Sequence, residues 1–154
     1  MSRISYKNIA PGAYEAMLGL ERYVGKSGLD HALLELVRTR ASQLNGCAFC
    51  LDMHTKDAIA AGETPQRLLV VSAWRDAPFY TARERAALAW TEAVTQLEPS
   101  GVSDELYRAT AEHFDERQLV DLTMAIVAIN GWNRLAIAFH SPEVGSHVPA
   151  VPGR

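Results

Sequence analysis

The chain has 154 residues, of which 48% are hydrophobic and 21% charged, with a formal net charge of −3. That length suits one domain over residues 1–154 with enough apolar side chains to bury a core. The slight acidity, without any basic block, argues against nucleic acid as a partner.

The N-terminal stretch MSRISYKNIAPG reads as irregular and carries no apolar signal core. The longest apolar run, around Met124 to Ile129, is far short of the roughly 20 residues of a membrane span. A cytoplasmic protein with no membrane partner is expected, its thiols reduced at rest. Pro11 suits a first helical turn, and Tyr14, Met17, Leu18 and Tyr23 continue a helical pattern that stops near Gly25 or Gly28. Asp30 caps the next helix, which runs to about Leu44 with Leu34, Val37, Ala41 and Leu44 facing the core. Glu35, Arg38, Thr39 and Ser42 fall on its more polar side. Asn45-Gly46 breaks that helix, and Asn45 is the expected N-cap of the one that follows, from Gly46 or Cys47 to Ala61, with Gly62 as the residue beyond its end.

Thr64-Pro65 opens a short helix to Trp74, and residues 75–80 form a loop. Thr81-Ala-Arg-Glu84 matches a capping box for a helix to about Leu97. Ser103 caps a helix through His113. Asp115 opens the last long helix, rich in Leu119, Leu122, Ile126, Val127 and Ile129, kinked at Gly131 and ending near His140. From Pro142 onward the chain reads as an extended tail over 141–154, leaving a core of about 15–140. The expected class is an all-α, single-domain bundle of about six to seven helices, because caps and apolar periodicity agree. Apolar residues such as Leu68, Leu69, Val70, Val71 and Trp74 exceed what one inward stripe needs, so a homo-oligomer is expected.

The chemistry concentrates in Cys47-Ala-Phe-Cys50-Leu-Asp-Met-His54, which holds both cysteines of the chain. Cys47 and Cys50 are one turn apart, and His54 lies one turn beyond Cys50, so all three share one helical stripe. Cys47 sits at a helix start, where free N–H groups and the macrodipole favour a thiolate. His54 is placed to take a proton from Cys50. Helix position therefore favours Cys47 as the more acidic and exposed thiol, whereas a positioned base favours Cys50. Sulfurs at this spacing can close a disulfide, because the helical Cα separation falls within roughly 4.4–6.8 Å. An attacking thiol, a resolving thiol and a base suit peroxide reduction or dithiol exchange with a partner.

The segment GCAFCLDMH, with Glu35 twelve residues before its first cysteine, resembles the alkylhydroperoxidase-D-like branch of the carboxymuconolactone decarboxylase superfamily. Asn130-Gly-Trp-Asn-Arg134 is similar to the C-terminal helix signature of that branch. The resemblance implies an all-helical chain that assembles as a dimer, trimer or hexamer. It also implies an enzyme that reduces alkyl hydroperoxides and is recharged by a thiol partner, lipoylated or thioredoxin-like. By the same resemblance Cys50 is the peroxide-attacking residue, Cys47 the resolving one, His54 takes the proton of Cys50 through water, and Glu35 completes the relay. Phe49 stands where well-studied peroxidases of the branch carry a histidine; it relays no proton and can enclose a drier pocket for an organic peroxide.

Other readings compete. Zinc wants about four ligands and this stripe offers three, with Asp52 on another face, so neither metal nor cofactor is expected. Both cysteines could be core residues, and Glu35 could pair with Arg38 or Thr39 on its own helix. His31, His113, His140 and His147 are expected to do no chemistry. Asn130, Trp132, Asn133 and Arg134 are expected to buttress the motif or an interface. At the level of function, a non-enzymatic redox sensor and a decarboxylase-type enzyme are the alternatives.

Overall fold

The structure, a computed structural model, describes residues 2–149. All regular structure among them is helical. The helices are α1 (Tyr6–Ile9), α2 (Pro11–Val24), α3 (His31–Asn45), α4 (Ala48–Ala60), α5 (Pro65–Val70), α6 (Ala82–Thr95), α7 (Asp104–Ala111) and α8 (Glu116–Phe139), with a single 3₁₀ turn over Val71–Ala73. The all-α bundle is as expected. The additional element is α1, a single turn within the stretch expected to be irregular.

The caps explain the boundaries. The side chains of Asp30, Thr64 and Ser103 accept the backbone N–H bonds of Leu33, Arg67 and Leu106. Thr81 with Glu84, and Asp115 with Gln118, form reciprocal capping boxes. Each such cap is worth about 1 kcal/mol. Pro65 starts α5 where its missing N–H costs nothing, but the helix tightens into the 3₁₀ turn after Val70 and does not reach Trp74 as an α-helix. The helix capped by Ser103 stops at Ala111.

Three expectations are corrected. The N-cap of α4 is Cys47, whose sulfur accepts the Cys50 N–H at 3.4 Å, and Asn45 is the last residue of α3. Between them Gly46 takes φ +69°, a left-handed conformation that glycine adopts without strain. The side of α3 expected to be polar is buried: Glu35 is 2% exposed, and Thr39 and Ser42 are fully buried. The cause is that α3 is the central helix, packed by α4, α6 and α8 around its circumference. Finally, α8 is one continuous helix through Gly131. A Cβ at Gly131 would meet the flexible tip of Met17, with Cε at 2.7 Å, so glycine leaves room for that side chain and makes no break.

By length and composition α8 is apolar enough to cross a bilayer, with a mean hydropathy of 1.3. In the fold it is a core helix: Asp121 and Asn133 are buried on it, and α2, α3 and α6 pack along it. Three apolar clusters result. The largest joins α2, α3, α6 and α8, and a second gathers Leu36, Leu68, Val71 and Trp74. The third is small and holds Cys47 and Cys50 against Ala41, Ile129 and Ala136.

Candidate active site

Cys47 and Cys50 are joined as a disulfide with Cα atoms 5.4 Å apart, within the ordinary range for such a bridge. Both are 1% exposed, so Cys47 is not the more exposed thiol that its place at a helix start suggested. The turn that carries it is pinned from α8. The Asn45 amide donates to Asn130 Oδ1 and Asn133 Oδ1, both at 2.8 Å, and Asn133 donates to Ser42 Oγ at 3.1 Å. Asn130 in turn donates to Thr95 Oγ1 at 3.0 Å. The signature on α8 thus buttresses the motif, as expected. Arg134 returns to the carbonyl and side chain of Asn130.

His54, 6% exposed, meets Glu35 across the α3–α4 interface, with Nδ1 2.9 Å from Oε2. The expected pairing of Glu35 with Arg38 also exists: Arg38 donates to Glu35 Oε1 at 2.8 Å. A carboxylate has two oxygens, and here each serves one partner. Burial pushes the Glu35 carboxyl up, but the bonds and charges of His54 and Arg38 outweigh it and hold the group below its ordinary value. The other arm of Arg38 reaches Glu21 Oε2 at 2.8 Å, and Trp132 Nε1 donates to Glu21 Oε1 at 2.9 Å. A buried ion cluster of this kind is a costly way to stabilise a fold, which marks the place as a functional candidate.

Two adjoining hollows approach the disulfide, with Phe49, Ala136 and Pro142 as shared walls. One, of about 430 Å³, is bounded by Cys50, His54, Glu35 and Arg38, with aromatic walls from Tyr6, Tyr14, Phe49 and Trp132. The other, of about 480 Å³, reaches Cys47 past Ala48, Ile137, His140 and Val144. Among the described residues no three His, Cys, Asp or Glu side chains are grouped to hold a metal ion.

The four residues picked out by sequence are therefore neighbours. Cys50, His54 and Glu35 face one hollow, and Cys47 faces the other. Two histidines expected to be idle also lie here. His31 lines the Cys50 hollow with Nε2 3.8 Å from Glu35 Oε1, and His140 lines the Cys47 hollow. His147 binds Asp57 at 2.6 Å and, with the bond from Lys56 to its carbonyl, ties the tail onto α4. Glu21 escaped the sequence reading: the i,i+3 spacing of Glu35 and Arg38 signalled their pairing, but no local pattern points to Glu21, whose contacts cross helices.

Residues 11–93 match the carboxymuconolactone decarboxylase family. The uncharacterized protein YdfG of Bacillus subtilis is 46% identical over 136 residues, which cover 88% of this chain and 92% of YdfG. A solved structure from Agrobacterium tumefaciens, of a protein of unknown function provisionally assigned to antioxidant defence as AhpD, superposes with a TM-score of 0.88. It is 43% identical and covers 92% of this chain and 97% of its own. The debrominase Bmp8, solved with 2,3,4-tribromopyrrole, shares the fold with a TM-score of 0.79 at 19% identity, covering 90% of this chain and 74% of its own.

Proposed function

Since the chain belongs to the carboxymuconolactone decarboxylase family, in its alkylhydroperoxidase-D-like branch, we propose that it is a thiol peroxidase that reduces organic hydroperoxides. The observation that carries this reading is a disulfide between Cys47 and Cys50 whose Cys50 end shares an aromatic-walled hollow with the Glu35–His54 pair.

In the reduced protein His54, its Nδ1 held by Glu35, takes the Cys50 proton on its other ring nitrogen, directly or through water. The Cys50 thiolate attacks the outer peroxide oxygen. The O–O bond breaks, the alkoxide leaves as an alcohol with the proton returned from His54, and Cys50 becomes a sulfenic acid. The Cys47 sulfur then attacks that of Cys50, the S–O bond breaks, water leaves, and the disulfide closes. Two electrons from a thiol partner, lipoylated or thioredoxin-like, reopen it. Each turnover converts one hydroperoxide and two thiol hydrogens into one alcohol and one water.

Glu35 acts as the aspartate does in a Ser-His-Asp triad: it orients the imidazole and stabilises its protonated form. The walls formed by Tyr14, Phe49 and Trp132 suit a hydroperoxide with an apolar body. The test is turnover of cumene hydroperoxide with an excess of a small dithiol. Wild type is expected to consume it continuously, Cys50→Ser to be inactive, and Cys47→Ser to turn over more slowly, because the dithiol must then take over the resolving step. Equal turnover in wild type and Cys50→Ser would defeat the proposal.

A further inference from the structure

We propose that Arg38 is a positioning residue for this site: its forked guanidinium pins one oxygen of Glu35, leaves the other to His54, and thereby sets how readily Cys50 gives up its proton. The inference rests on the proposed role of Cys50 as the reacting thiol.

Three observations carry it. Arg38 is only 11% exposed at its side chain and is held at both ends, 2.8 Å from Glu35 Oε1 and 2.8 Å from Glu21 Oε2. A planar guanidinium can span two carboxylates in fixed geometry, which a single ammonium cannot. Glu21 is itself fixed, because Trp132 Nε1 donates to its remaining oxygen at 2.9 Å. A continuous chain of hydrogen bonds therefore runs from α8 through α2 and α3 to the histidine on α4. Each link takes up one oxygen or one N–H, so the Glu35 carboxylate cannot turn without breaking a charge-assisted bond.

The other groups facing the Glu35–His54 pair do not replace Arg38. His31 lies 3.8 Å from Glu35 Oε1 but is 61% exposed at its side chain. Asp57 of α4 lines the hollow and is engaged by His147. Tyr6 and Tyr14 contribute phenols, and α8 contributes Trp132 and Ala136. The nearby arginine Arg40 turns the other way, to Glu92 on α6. Arg38 is thus the largely shielded cation bonded directly to Glu35.

The experiment reads the pH dependence of Cys50 alkylation by iodoacetamide in reduced Cys47→Ser protein, where only one thiol remains. Arg38→Gln is expected to move the midpoint upward by on the order of one unit, leaving about tenfold less thiolate at pH values well below both midpoints. Arg38→Lys is expected to fall between the two. In a Glu35→Gln background the same Arg38→Gln change is expected to add little, because its effect passes through Glu35. Glu21→Gln, which leaves Arg38 in place and loosens its far anchor, is expected to give a smaller shift in the same direction.

No shift in Arg38→Gln overturns the inference, and so does an equal shift with and without Glu35, which would make Arg38 a charge acting on Cys50 directly. Should Arg38→Gln fail to fold by circular dichroism, Glu21→Gln decides, and an unmoved midpoint there overturns the inference. A Cys50 that never alkylates faster than a free thiol in the parent protein would instead overturn the proposed chemistry itself.

Discussion

Replacing Glu35 by Gln preserves the shape of the side chain and removes the charge that faces His54. In a Ser-His-Asp triad the same carboxylate-to-amide change lowers kcat by about 10⁴, so Glu35→Gln is expected to slow the single-turnover reaction with cumene hydroperoxide by at least about tenfold and at most about that factor. An unchanged rate in the folded variant would remove Glu35 from the mechanism. The spacing of Cys47, Cys50 and His54 is local, and a helix of 3.6 residues per turn delivers it directly. Glu35 was reachable through the family pattern alone, because helical periodicity put it on a polar side that the central position of α3 in fact buries. Glu21 was not reachable as a site residue: its bond with Trp132 joins positions 111 apart in the chain, and no local rule encodes such a contact.

At the scale of elements, the turn between α3 and α4 is where the fold holds the chemistry in place. Asn133, fully buried on α8, both accepts from Asn45 and donates to Ser42. Asn133→Ala leaves the Asn45 amide with one acceptor fewer and Ser42 without its donor, at a cost of about 1–3 kcal/mol. Urea unfolding of the reduced variant is expected to show a midpoint lowered accordingly; an unshifted midpoint would mean the Asn45 tie contributes nothing. Five helix starts were legible, because Asp30, Thr64, Thr81, Ser103 and Asp115 all cap through their own side chains. The start of α4 was misplaced for a physical reason. Asn45 is a better capping residue than cysteine in general, but here its amide is drawn into the contact with α8, and the Cys47 sulfur takes the cap.

For the whole molecule, two carboxylates bear on acid stability, Glu35 buried and Glu92 partly buried. Burial pushes both Glu35 and Glu92 up, but the partners of each outweigh it: His54 and Arg38 for Glu35; Trp74, Arg75 and Arg40 for Glu92. Both therefore titrate below their unfolded values in the folded protein. Their contribution is fully present above the unfolded glutamate value of about 4.3, and it is lost as pH falls through the folded values. The melting temperature is expected to fall on acidification across that window, and Glu92→Gln is expected to flatten the fall. The same steep limb in Glu92→Gln would contradict this.

Self-association is carried forward as a proposal that keeps only part of the apolar group first expected. Of the residues first expected, Leu68, Val71 and Trp74 are consumed by the chain's own core but Leu69 is exposed; Leu97, Val120 and Val127 are exposed as well, and Leu97 and Val127 share a hollow between α6 and α8. Light scattering is expected to give more than the monomer mass; a monomer at micromolar concentration would overturn it.

The central claim, that Cys50 is oxidised first and Cys47 closes the bridge, is tested most directly by mass spectrometry of alkylated protein after one equivalent of cumene hydroperoxide. Reduced wild type is predicted to yield the Cys47–Cys50 disulfide, and Cys47→Ser a sulfenic acid trapped at Cys50. Thiols left intact in wild type, or a sulfenic acid found on Cys47 in Cys50→Ser with none on Cys50 in Cys47→Ser, would contradict the account.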